Sequence, residues 1–275
     1  MDDSRWLVAL DIDGTVLHED GTLSPAVIDA VRRARDDGHE VMLATGRSAS
    51  MTIPILERLG IAPEYVVCSN GAITLRRDAE APSGYRRYRV EHFDPTPVLT
   101  RIKERLPEAH YAVEDQTGLY RYTDWFPEGA LDALSEQVTF EELLTTVATR
   151  VVVIAPGHEI DDFLARVEDM GLHQVSYTVG WTAWLDIAPD GVNKSTALEL
   201  VRTQLGFGRD KVMVVGDGRN DIEMLQWAAD GRAVAMGQAP EEVRVHATEM
   251  VSDFLEDGVA QALAGLPGRT ATEVS

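Results

Sequence analysis

The sequence predicts an α/β fold in which a doubly wound, mostly parallel sheet is interrupted by an inserted α+β segment. Short apolar runs alternate with amphipathic stretches at both ends of the chain, the pattern of helices wrapped around a parallel sheet. Between residues 85 and 186 the pattern changes to paired β-rich runs around two helical stretches. The chain has 275 residues, of which 44% are apolar, so it is long enough for two domains. We therefore expect a core domain of residues 1–84 and 187–275 and an inserted domain of residues 85–186.

The predicted strands of the core are runs of four or five residues that are mostly apolar and rich in Val. Strands that are covered on both faces have this composition because neither face meets water. These runs occupy residues 6–10, 40–44, 65–68, 211–215 and 232–236. Cys68 ends the third run, and we interpret it as a buried strand residue.

The first predicted helix has clear start and stop signals. Ser24 is a favourable N-cap, Pro25 suits the first turn, and Gly38 is a stop signal. Between them, apolar residues such as Val27 and Val31 recur at helical spacing. Similar patterns predict further helices over residues 48–59, 194–205, 221–229, 240–247 and 257–264.

The inserted segment carries weaker signals than the core. Its β-rich runs lie at residues 85–90, 150–155 and 175–185, and its helical patterns lie at residues 95–106 and 158–170. No element is predicted over residues 124–149, where the pattern of apolar residues is poor. Strands and helices that are mixed in this way favour an α+β arrangement.

Charge and composition exclude several classes of function. The formal net charge is -21, with 46 acidic against 25 basic residues, so the surface repels polyanions and a nucleic-acid partner is not expected. No apolar run approaches the roughly 18 to 20 residues of a membrane-spanning helix, and the amino-terminal residues do not resemble a signal peptide. We therefore expect a cytoplasmic protein with no membrane association. Its single cysteine excludes an intrachain disulfide.

Three polar segments come directly after predicted strands. Asp11 and Asp13 follow the first strand, Thr45 follows the second, and Asp217 and Asp221 follow the fourth. In open parallel sheets, ligands bind outside the carboxyl ends of the strands. Residues about two hundred positions apart can therefore converge on one crevice.

The four aspartates of these segments predict a metal site. Two like charges about 4 Å apart repel by roughly 4 kcal/mol at an effective dielectric constant of 20, so a cluster of carboxylates requires a cation. Carboxylate and carbonyl oxygens without paired His or Cys favour a hard divalent ion, and an ion that bridges to phosphate points to Mg²⁺. The expected cofactor is therefore Mg²⁺.

A calcium-binding loop is the rival interpretation of the segment that begins at Asp11. Its spacing is wrong, because Val16 occupies the position of the required glycine and Thr22 that of the bidentate glutamate. A strand rather than a helix also precedes the segment.

Taken together, these segments resemble the four ordered motifs of the haloacid dehalogenase superfamily of phosphohydrolases. The flanks of the insert, and residues 235–237 and 256–260 near the carboxyl end, are similar to the Cof-type subfamily with a type-IIB cap. Gln238 departs from the asparagine that this subfamily has after the glycine at position 237. The resemblance spans the chain and implies a Rossmann-like core with the insert as an α+β cap. The motifs that carry it are residues 11–15, Thr45-Gly46-Arg47, Lys194 and residues 216–221.

The chemistry of these residues, and the resemblance, imply a phosphatase that forms a phospho-aspartate on Asp11. Asp11 is the expected nucleophile, and Asp13 is the expected acid that protonates the leaving group and then activates water. Lys194 neutralises the incoming phosphate.

The same resemblance implies two sets of binding residues. Mg²⁺ is expected on Asp11, the backbone carbonyl of Asp13, Asp217 and Asp221. The phosphate is expected on Thr45, Gly46, Lys194 and Asn220.

The expected substrate is a small phosphorylated metabolite, with a sugar phosphate as the expectation for the subfamily. The insert is expected to close over the crevice and to select the substrate. Two alternatives stay open: a phosphotransferase or sugar phosphomutase that uses the same nucleophile, and a non-catalytic regulator that binds phosphate.

Several residues near the motifs have an ordinary structural interpretation. Arg47 and Arg219 are interpreted as structural or surface residues. Asn70 and Gly71 are interpreted as a hairpin turn, with a place in the floor of the crevice as the alternative. One dense basic stretch is interpreted as a solvated hairpin face, with a positive rim for the substrate as the alternative. It consists of Arg76, Arg77, Arg86, Arg87 and Arg89.

Overall fold

The computed structural model of the chain describes residues 4–18, 20–127, 131, 134–172, 175–179 and 183–268. Its strands are β1 (Leu7–Leu10), β2 (Glu40–Leu43), β3 (Tyr65–Cys68), β4 (Ile73–Arg77), β5 (Tyr85–Val90), β6 (His110–Asp115), β7 (Tyr120–Tyr122), β8 (Ser135–Gln137), β9 (Ala148–Ile154), β10 (Val175–Val179), β11 (Trp184–Pro189), β12 (Val212–Gly216), β13 (Arg232–Ala235) and β14 (Glu249–Met250). Its α-helices are α1 (Pro25–Asp36), α2 (Ala49–Leu59), α3 (Thr96–Arg105), α4 (Phe140–Leu143), α5 (Ile160–Met170), α6 (Lys194–Leu205), α7 (Ile222–Trp227), α8 (Glu241–Arg244) and α9 (Gly258–Ala264).

The central sheet is parallel throughout, with the strand order β14-β13-β12-β1-β2. In register, Leu7 of β1 lies beside Glu40 of β2 and Val212 of β12. The carboxyl ends of these three strands therefore meet at one edge of the sheet. Strand β3 joins this edge through a parallel bridge between Ala44 and Val67.

The central sheet is covered on both faces, because successive residues of β1 enter two different apolar clusters. Val8 and Leu10 belong to a cluster with helices α1, α2 and α9. Leu7 and Ala9 belong to a second cluster with helices α6 and α7. Full burial of one aliphatic side chain contributes roughly 1.5–3 kcal/mol, so both faces hold the sheet in place. The predicted doubly wound α/β class is confirmed.

A three-stranded antiparallel sheet of β3, β4 and β5 extends from the same edge. A short 3₁₀ turn over Ser69–Gly71 joins β3 to β4, and Ser69 and Asn70 have φ angles of 48° and 51°. The interpretation of this segment as a hairpin turn is confirmed. The predicted basic stretch lies on β4 and β5, where three of its arginines pair with carboxylates: Arg76 with Glu64, Arg86 with Asp78, and Arg89 with Glu91.

A second large sheet, in the order β10-β11-β9-β6-β7-β8, is built from residues 110–189. Neighbouring strands within this sheet are antiparallel, except that β7 and β8 are parallel. Helices α3 and α5 pack on it through buried residues such as Leu99 and Phe163, which share a cluster with Tyr111 and Val151. The predicted α+β insert is therefore present. Its boundaries at residues 85 and 186 stay a prediction, and β5 at the first boundary pairs with β4.

Two predicted helices near the carboxyl end are shorter in the structure. The pattern over residues 240–247 forms only α8, Glu241–Arg244. The chain turns after α8 because Thr248 donates to the carbonyl of Ala233 and brings the next segment beside β13. The pattern over residues 221–229 forms a 3₁₀ turn followed by α7, Ile222–Trp227. Among the described helices, none is both long and apolar enough to cross a membrane.

Candidate active site

The first residue of helix α6, Lys194, lies at the carboxyl edge of the central sheet. Its Nζ donates to Oδ1 of Asp11 at 2.7 Å and to Oδ1 of Asp221 at 2.6 Å. Lys194 and Asp221 are fully buried. The side chain of Asn193 caps the helix by accepting from the amide of Thr196, which fixes the turn that carries the lysine. The structure therefore brings three predicted site residues together from three separate segments.

The loop after β12 holds Asp221 and Asp217 close together. Oδ2 of Asp221 accepts from the backbone N–H groups of Asp217 and Gly218, each at 2.9 Å. A Cβ at Gly216 would lie 2.4 Å from Cγ of Asp221, so only glycine permits this approach. The hydroxyl of Thr15, in the loop after β1, donates to Oδ1 of Asp217 at 2.9 Å and so holds that carboxylate in place.

The loop after β1 packs directly against Asp217. Gly14 has a φ angle of +77°, and a Cβ there would lie 2.3 Å from Oδ2 of Asp217. The residue must therefore be glycine for both conformational and steric reasons. The side-chain amide of Gln238 donates to the carbonyl of Gly14, so the glutamine at this position reaches the site.

The buried carboxylates of the site repel one another. Burial, followed by the charge of Asp221, raises the pKa of Asp11 well above its ordinary value. Burial and the same neighbour raise the pKa of Asp217 to about 7. Burial alone would lower the pKa of Lys194, but the carboxylates of Asp11 and Asp221 outweigh it and raise that pKa. One ammonium group thus faces three carboxylates, and the excess of negative charge favours a bound cation.

The donor set of the site fits a hard divalent metal ion. Oxygen atoms of Asp11, Asp217 and Asp221 lie within 4.8 Å of one another, and all three residues are buried. Mg²⁺ binds to carboxylates and retains several water ligands, so three carboxylates on one side of an ion suit it. The side chain of Asp13 does not belong to this group of three carboxylates, and its expected role through the backbone carbonyl stays a prediction.

The carboxylate of Asp13 lies at the solvent side of the site and is held by Arg47. Nε of Arg47 donates to Oδ2 of Asp13 at 2.9 Å, and its Nη2 lies 2.5 Å from Oδ1. The side chain of Asp13 is 60% exposed and that of Arg47 is 24% exposed. Asp13 is therefore reachable from water while its orientation is set by a forked contact.

The remaining predicted phosphate ligands lie around the turn that follows β3. The Thr45 hydroxyl is buried and accepts from the amide of Arg47 at 3.1 Å. Nδ2 of Asn220 donates to Oδ1 of Asn70 at 3.0 Å. A Cβ at Gly46 would lie 3.1 Å from the same Asn70 oxygen, so the glycine permits close packing here. Asn70 thus contacts both residues from the hairpin turn and also lines the adjoining cleft.

Three contacts of the site involve residues to which the sequence assigned no catalytic or binding role. These are the hydroxyl of Thr15 on Asp217, the guanidinium of Arg47 on Asp13, and the amide of Gln238 on the carbonyl of Gly14. Thr15 and Arg47 lie inside the predicted motifs, so their positions in the sequence could have indicated that they contact the site. Gln238 stands where an asparagine was expected, and the longer side chain spans the distance to the first loop.

Comparison with protein families matches residues 8–263 to the family described as haloacid dehalogenase-like hydrolase. The chain is 26% identical over 272 residues to the 5-amino-6-(5-phospho-D-ribitylamino)uracil phosphatase YitU of Bacillus subtilis, with 96% of this chain and 98% of that protein covered. It is 29% identical over 280 residues to the pyridoxal phosphate phosphatase YbhA of Escherichia coli, with 93% and 96% covered.

Solved structures share the fold over nearly the whole chain. The haloacid dehalogenase subclass IIB sugar phosphatase BT4131 superposes with a TM-score of 0.78 at 19% identity and covers 94% of this chain and 98% of its own. A haloacid dehalogenase-like hydrolase of Bacillus subtilis gives a TM-score of 0.77 at 24% identity, with 95% and 99% covered. The predicted fold and hydrolase class are confirmed. Because the family model matches the chain from β1 to α9, this protein belongs to the haloacid dehalogenase superfamily as a haloacid dehalogenase-like hydrolase of the Cof type.

Proposed function

We propose that this hydrolase is a phosphatase that cleaves the phosphate monoester of a small metabolite through a phospho-aspartate on Asp11. The observation that carries the proposal is the buried contact of Lys194 with the carboxylates of Asp11 and Asp221. A buried ammonium group is costly unless it is paired, and this one is held where an anionic ligand would meet the sheet edge. YitU and YbhA, which resemble the chain over nearly its full length, are both named phosphatases.

In the first step Asp11 attacks the phosphorus atom of the ester. Lys194 holds Oδ1 of Asp11, so we assign Oδ2 as the attacking atom. The bond from this oxygen to phosphorus forms while the bond from phosphorus to the ester oxygen breaks. Asp13 gives its proton to that oxygen, so the metabolite leaves as a neutral alcohol.

In the second step water hydrolyses the phospho-aspartate. Asp13, now a carboxylate, takes a proton from the water as its oxygen attacks phosphorus. The bond between phosphorus and Asp11 breaks, which releases inorganic phosphate and restores the carboxylate. The exposed position of Asp13 suits this role, because both the leaving alcohol and the water have to reach it.

Binding of the phosphoryl group is assigned to four residues around Asp11. Thr45, Gly46 and Asn220 donate to its oxygens, and Lys194 neutralises its charge. Mg²⁺, when it is held by Asp11, the carbonyl of Asp13, Asp217 and Asp221, supplies further charge neutralisation. We further propose that residues 85–186 form the cap that selects the metabolite.

The test is to trap the intermediate during turnover. Borohydride should reduce the acyl phosphate and leave homoserine at position 11 in a peptide mass map, with inorganic phosphate released in its absence. Reduction at another carboxylate would contradict the assignment. Asp11→Asn should abolish turnover, and Asp13→Asn should affect alkyl phosphates more than an activated aryl phosphate, whose leaving group needs little help from an acid.

The same assays separate the alternatives. A phosphomutase would interconvert sugar phosphates without net release of phosphate. A regulator that only binds phosphate would keep its ligand affinity in Asp11→Asn and would show no turnover in either protein.

A further inference from the structure

A cleft of about 190 Å³ lies between the candidate active site and the second large sheet. Lys194 and Asn220 line it on the side of the core, and Arg150, Asp186 and Tyr177 line it on the side of the sheet. Lys194 lines the cleft and belongs to the proposed phosphate site, so the leaving group of a bound monoester would extend into this space. One water occupies about 30 Å³, so the cleft has room for roughly six waters, or for one small ring or short polyol.

Arg150 and Asp186 form a buried ion pair on the wall of this cleft. Nε of Arg150 donates to Oδ1 of Asp186 at 2.6 Å, and its Nη2 lies 2.6 Å from the same atom. Oδ2 of Asp186 accepts from Nε1 of Trp184 at 3.1 Å. The side chains of the pair are only 8% and 18% exposed, so both groups are fixed in orientation before any ligand arrives.

A second carboxylate lies close to the same guanidinium. Nη1 of Arg150 donates to the hydroxyl of Tyr120 at 3.0 Å, and that hydroxyl donates to Oε2 of Glu114 at 3.3 Å. Glu114 is fully buried and also accepts from the hydroxyl of Ser69 at 2.7 Å. Two acidic residues, Asp186 and Glu114, therefore lie close to the guanidinium of Arg150.

The charges of the cleft are already balanced or negative. Among its described lining residues, the charged side chains are Lys194, Arg150, Asp186 and Glu223. Lys194 is held by the two aspartates of the phosphate site, and Arg150 is held by Asp186. A second anionic group on the substrate would therefore meet no uncompensated cation, and it would lose its water in a narrow space.

Hydrogen-bonding capacity nevertheless remains on this wall. A guanidinium has five N–H donors, and the contacts to Asp186 and Tyr120 occupy three of them. Oδ2 of Asp186 can accept a further hydrogen bond beside that of Trp184, because a carboxylate oxygen has two lone pairs. The wall can thus both donate to and accept from neutral hydroxyl or amide groups.

We propose that the Arg150–Asp186 pair makes this cleft selective for monoesters whose leaving group is uncharged and carries hydroxyl or amide groups, and makes it reject leaving groups with a second anion. The inference rests on the proposed phosphatase function and assigns its substrate class.

The test compares two substrates that differ at one carbon. Glucitol 6-phosphate carries a terminal CH₂OH group, and 6-phosphogluconate carries a carboxylate at the same place. For the natural chain, kcat/KM should be at least about tenfold higher with glucitol 6-phosphate. Equal values, or a preference for 6-phosphogluconate, would overturn the proposal.

Two variants should move this preference in opposite directions. Asp186→Asn leaves the charge of Arg150 uncompensated and should shift the ratio toward 6-phosphogluconate by about tenfold or more. Arg150→Gln leaves the carboxylate unpaired and should shift the ratio further toward glucitol 6-phosphate. The ratio of two kcat/KM values does not depend on how much of a variant folds. Equal loss on both substrates would show a merely structural pair.

Asp169→Asn is the matched control, because it breaks another Arg–Asp ion pair, with Arg105, on the exposed surface of helix α5. It should leave the ratio unchanged. Release of phosphate from p-nitrophenyl phosphate serves as a reference for the proposed function. If this reaction and both sugar phosphates fail in the natural chain, the phosphatase proposal fails. If phosphate is released but kcat/KM is the same for glucitol 6-phosphate and 6-phosphogluconate, only the present inference fails.

Discussion

Arg47 and Asp13 form a forked contact at the mouth of the site, with Nε and Nη2 of the guanidinium on the two oxygens of the carboxylate. The two residues lie 34 positions apart and come from the loops after β1 and β2. An exposed carboxylate rotates freely unless a partner holds it, and here the partner is a neighbouring loop of the same site. Arg47, interpreted from the sequence as structural, is therefore a positioning residue for the proposed acid.

Replacing Arg47 by Met should lower kcat/KM for alkyl phosphates by about tenfold, or about 1.4 kcal/mol in the activation free energy. The reason is that Asp13 loses the contact that orients it toward the leaving oxygen. Hydrolysis of p-nitrophenyl phosphate should fall much less, because its leaving group departs without a proton. The measurement is the ratio of the two activities.

Arg58→Met provides the control for this variant, since Arg58 lies in the last turn of helix α2, which follows Arg47, and donates to the carbonyl of Gly21 away from the site. The ratio of alkyl phosphate to p-nitrophenyl phosphate hydrolysis in Arg58→Met should match that of the natural chain. If Arg47→Met lowered both activities equally, Arg47 would act on phosphate binding or folding rather than on the acid.

Because the site holds three buried carboxylates, Asp217→Asn should have opposite effects on thermal stability without and with Mg²⁺. In chelator at pH 8, above the pKa of about 7 of Asp217, Asp217→Asn should raise Tm by at least about 2 °C, because a buried like charge is removed from beside Asp221. In excess Mg²⁺ the order should reverse, since the natural chain gains RT ln(1 + [Mg²⁺]/Kd), about 2.7 kcal/mol at one hundred times Kd. Thermal unfolding at both conditions measures this.

Asp36→Asn on helix α1 serves as the control for the metal experiment, because Asp36 pairs with Arg35 at the surface. Its Tm should follow the natural chain in both conditions. If the Tm of the natural chain were the same in chelator and in excess Mg²⁺, the assignment of Asp11, Asp217 and Asp221 as metal ligands would be contradicted.

The environment of Glu199 should make the folded state less stable in acid. The hydrogen bond from Arg202, together with one from Trp227, lowers the pKa of Glu199 from 4.5 to about 2. A depressed pKa in the folded state stabilises the fold above pH 4.5, and this contribution is lost as the pH falls toward 2. Glu199 of α6 accepts a hydrogen bond from Nε1 of Trp227 on α7. It therefore links the helix that begins with Lys194 to the helix that follows Asp221.

Glu199→Gln should therefore lower the free energy of unfolding at pH 7 by no more than about 1 kcal/mol, since the group is partly exposed to solvent. The difference from the natural chain should shrink as the pH is lowered from 5 to 3. Urea unfolding across this range measures it, with Glu57→Gln on α2 as a control. A difference that stayed constant with pH would show that packing, and not charge, is the cause.

Much of the core could be predicted from the sequence because its signals are local. Strand β3 and helix α6 of the core have the predicted bounds to the residue, as does β5 at the start of the insert. Helix α6 is delimited by Asn193, which caps its start, and by Gly206, whose φ angle of 74° ends it. Such signals act between neighbours in the chain, so a linear pattern contains them.

The elements of the poorly patterned stretch were not predicted, because one depends on a contact with another strand and the other is too short to show a repeating apolar pattern. Strand β8 (Ser135–Gln137) is exposed and polar, and it exists because it pairs with β7. Helix α4 has only four residues and is held by the capping box of Thr139 and Glu142. Likewise, the pairs Arg47–Asp13 and Arg150–Asp186 depend on how two loops or strands approach. No spacing in the sequence encodes that distance.

Gly71 offers a test of how tightly the turn after β3 must pack on the lysine-bearing helix. Its φ angle is +99°, and a Cβ there would lie 2.2 Å from the carbonyl oxygen of Asn193 and 3.3 Å from the amide of Lys194. Gly38 has a similar φ angle of +95° but has open space around it. Both Gly→Ala variants therefore share the conformational cost, roughly 1–2 kcal/mol, and only one adds a clash with backbone.

We expect Gly71→Ala to lower the free energy of unfolding by about 1–3 kcal/mol more than Gly38→Ala, because the clash displaces backbone on one side or the other. Since the displaced backbone carries Lys194, kcat should also fall in Gly71→Ala when it is measured on fully folded protein, whereas Gly38→Ala should keep the natural kcat. Urea unfolding and turnover of p-nitrophenyl phosphate give the two quantities. If both variants lost the same stability and kept the natural kcat, the contact between this turn and helix α6 would not set the position of the lysine.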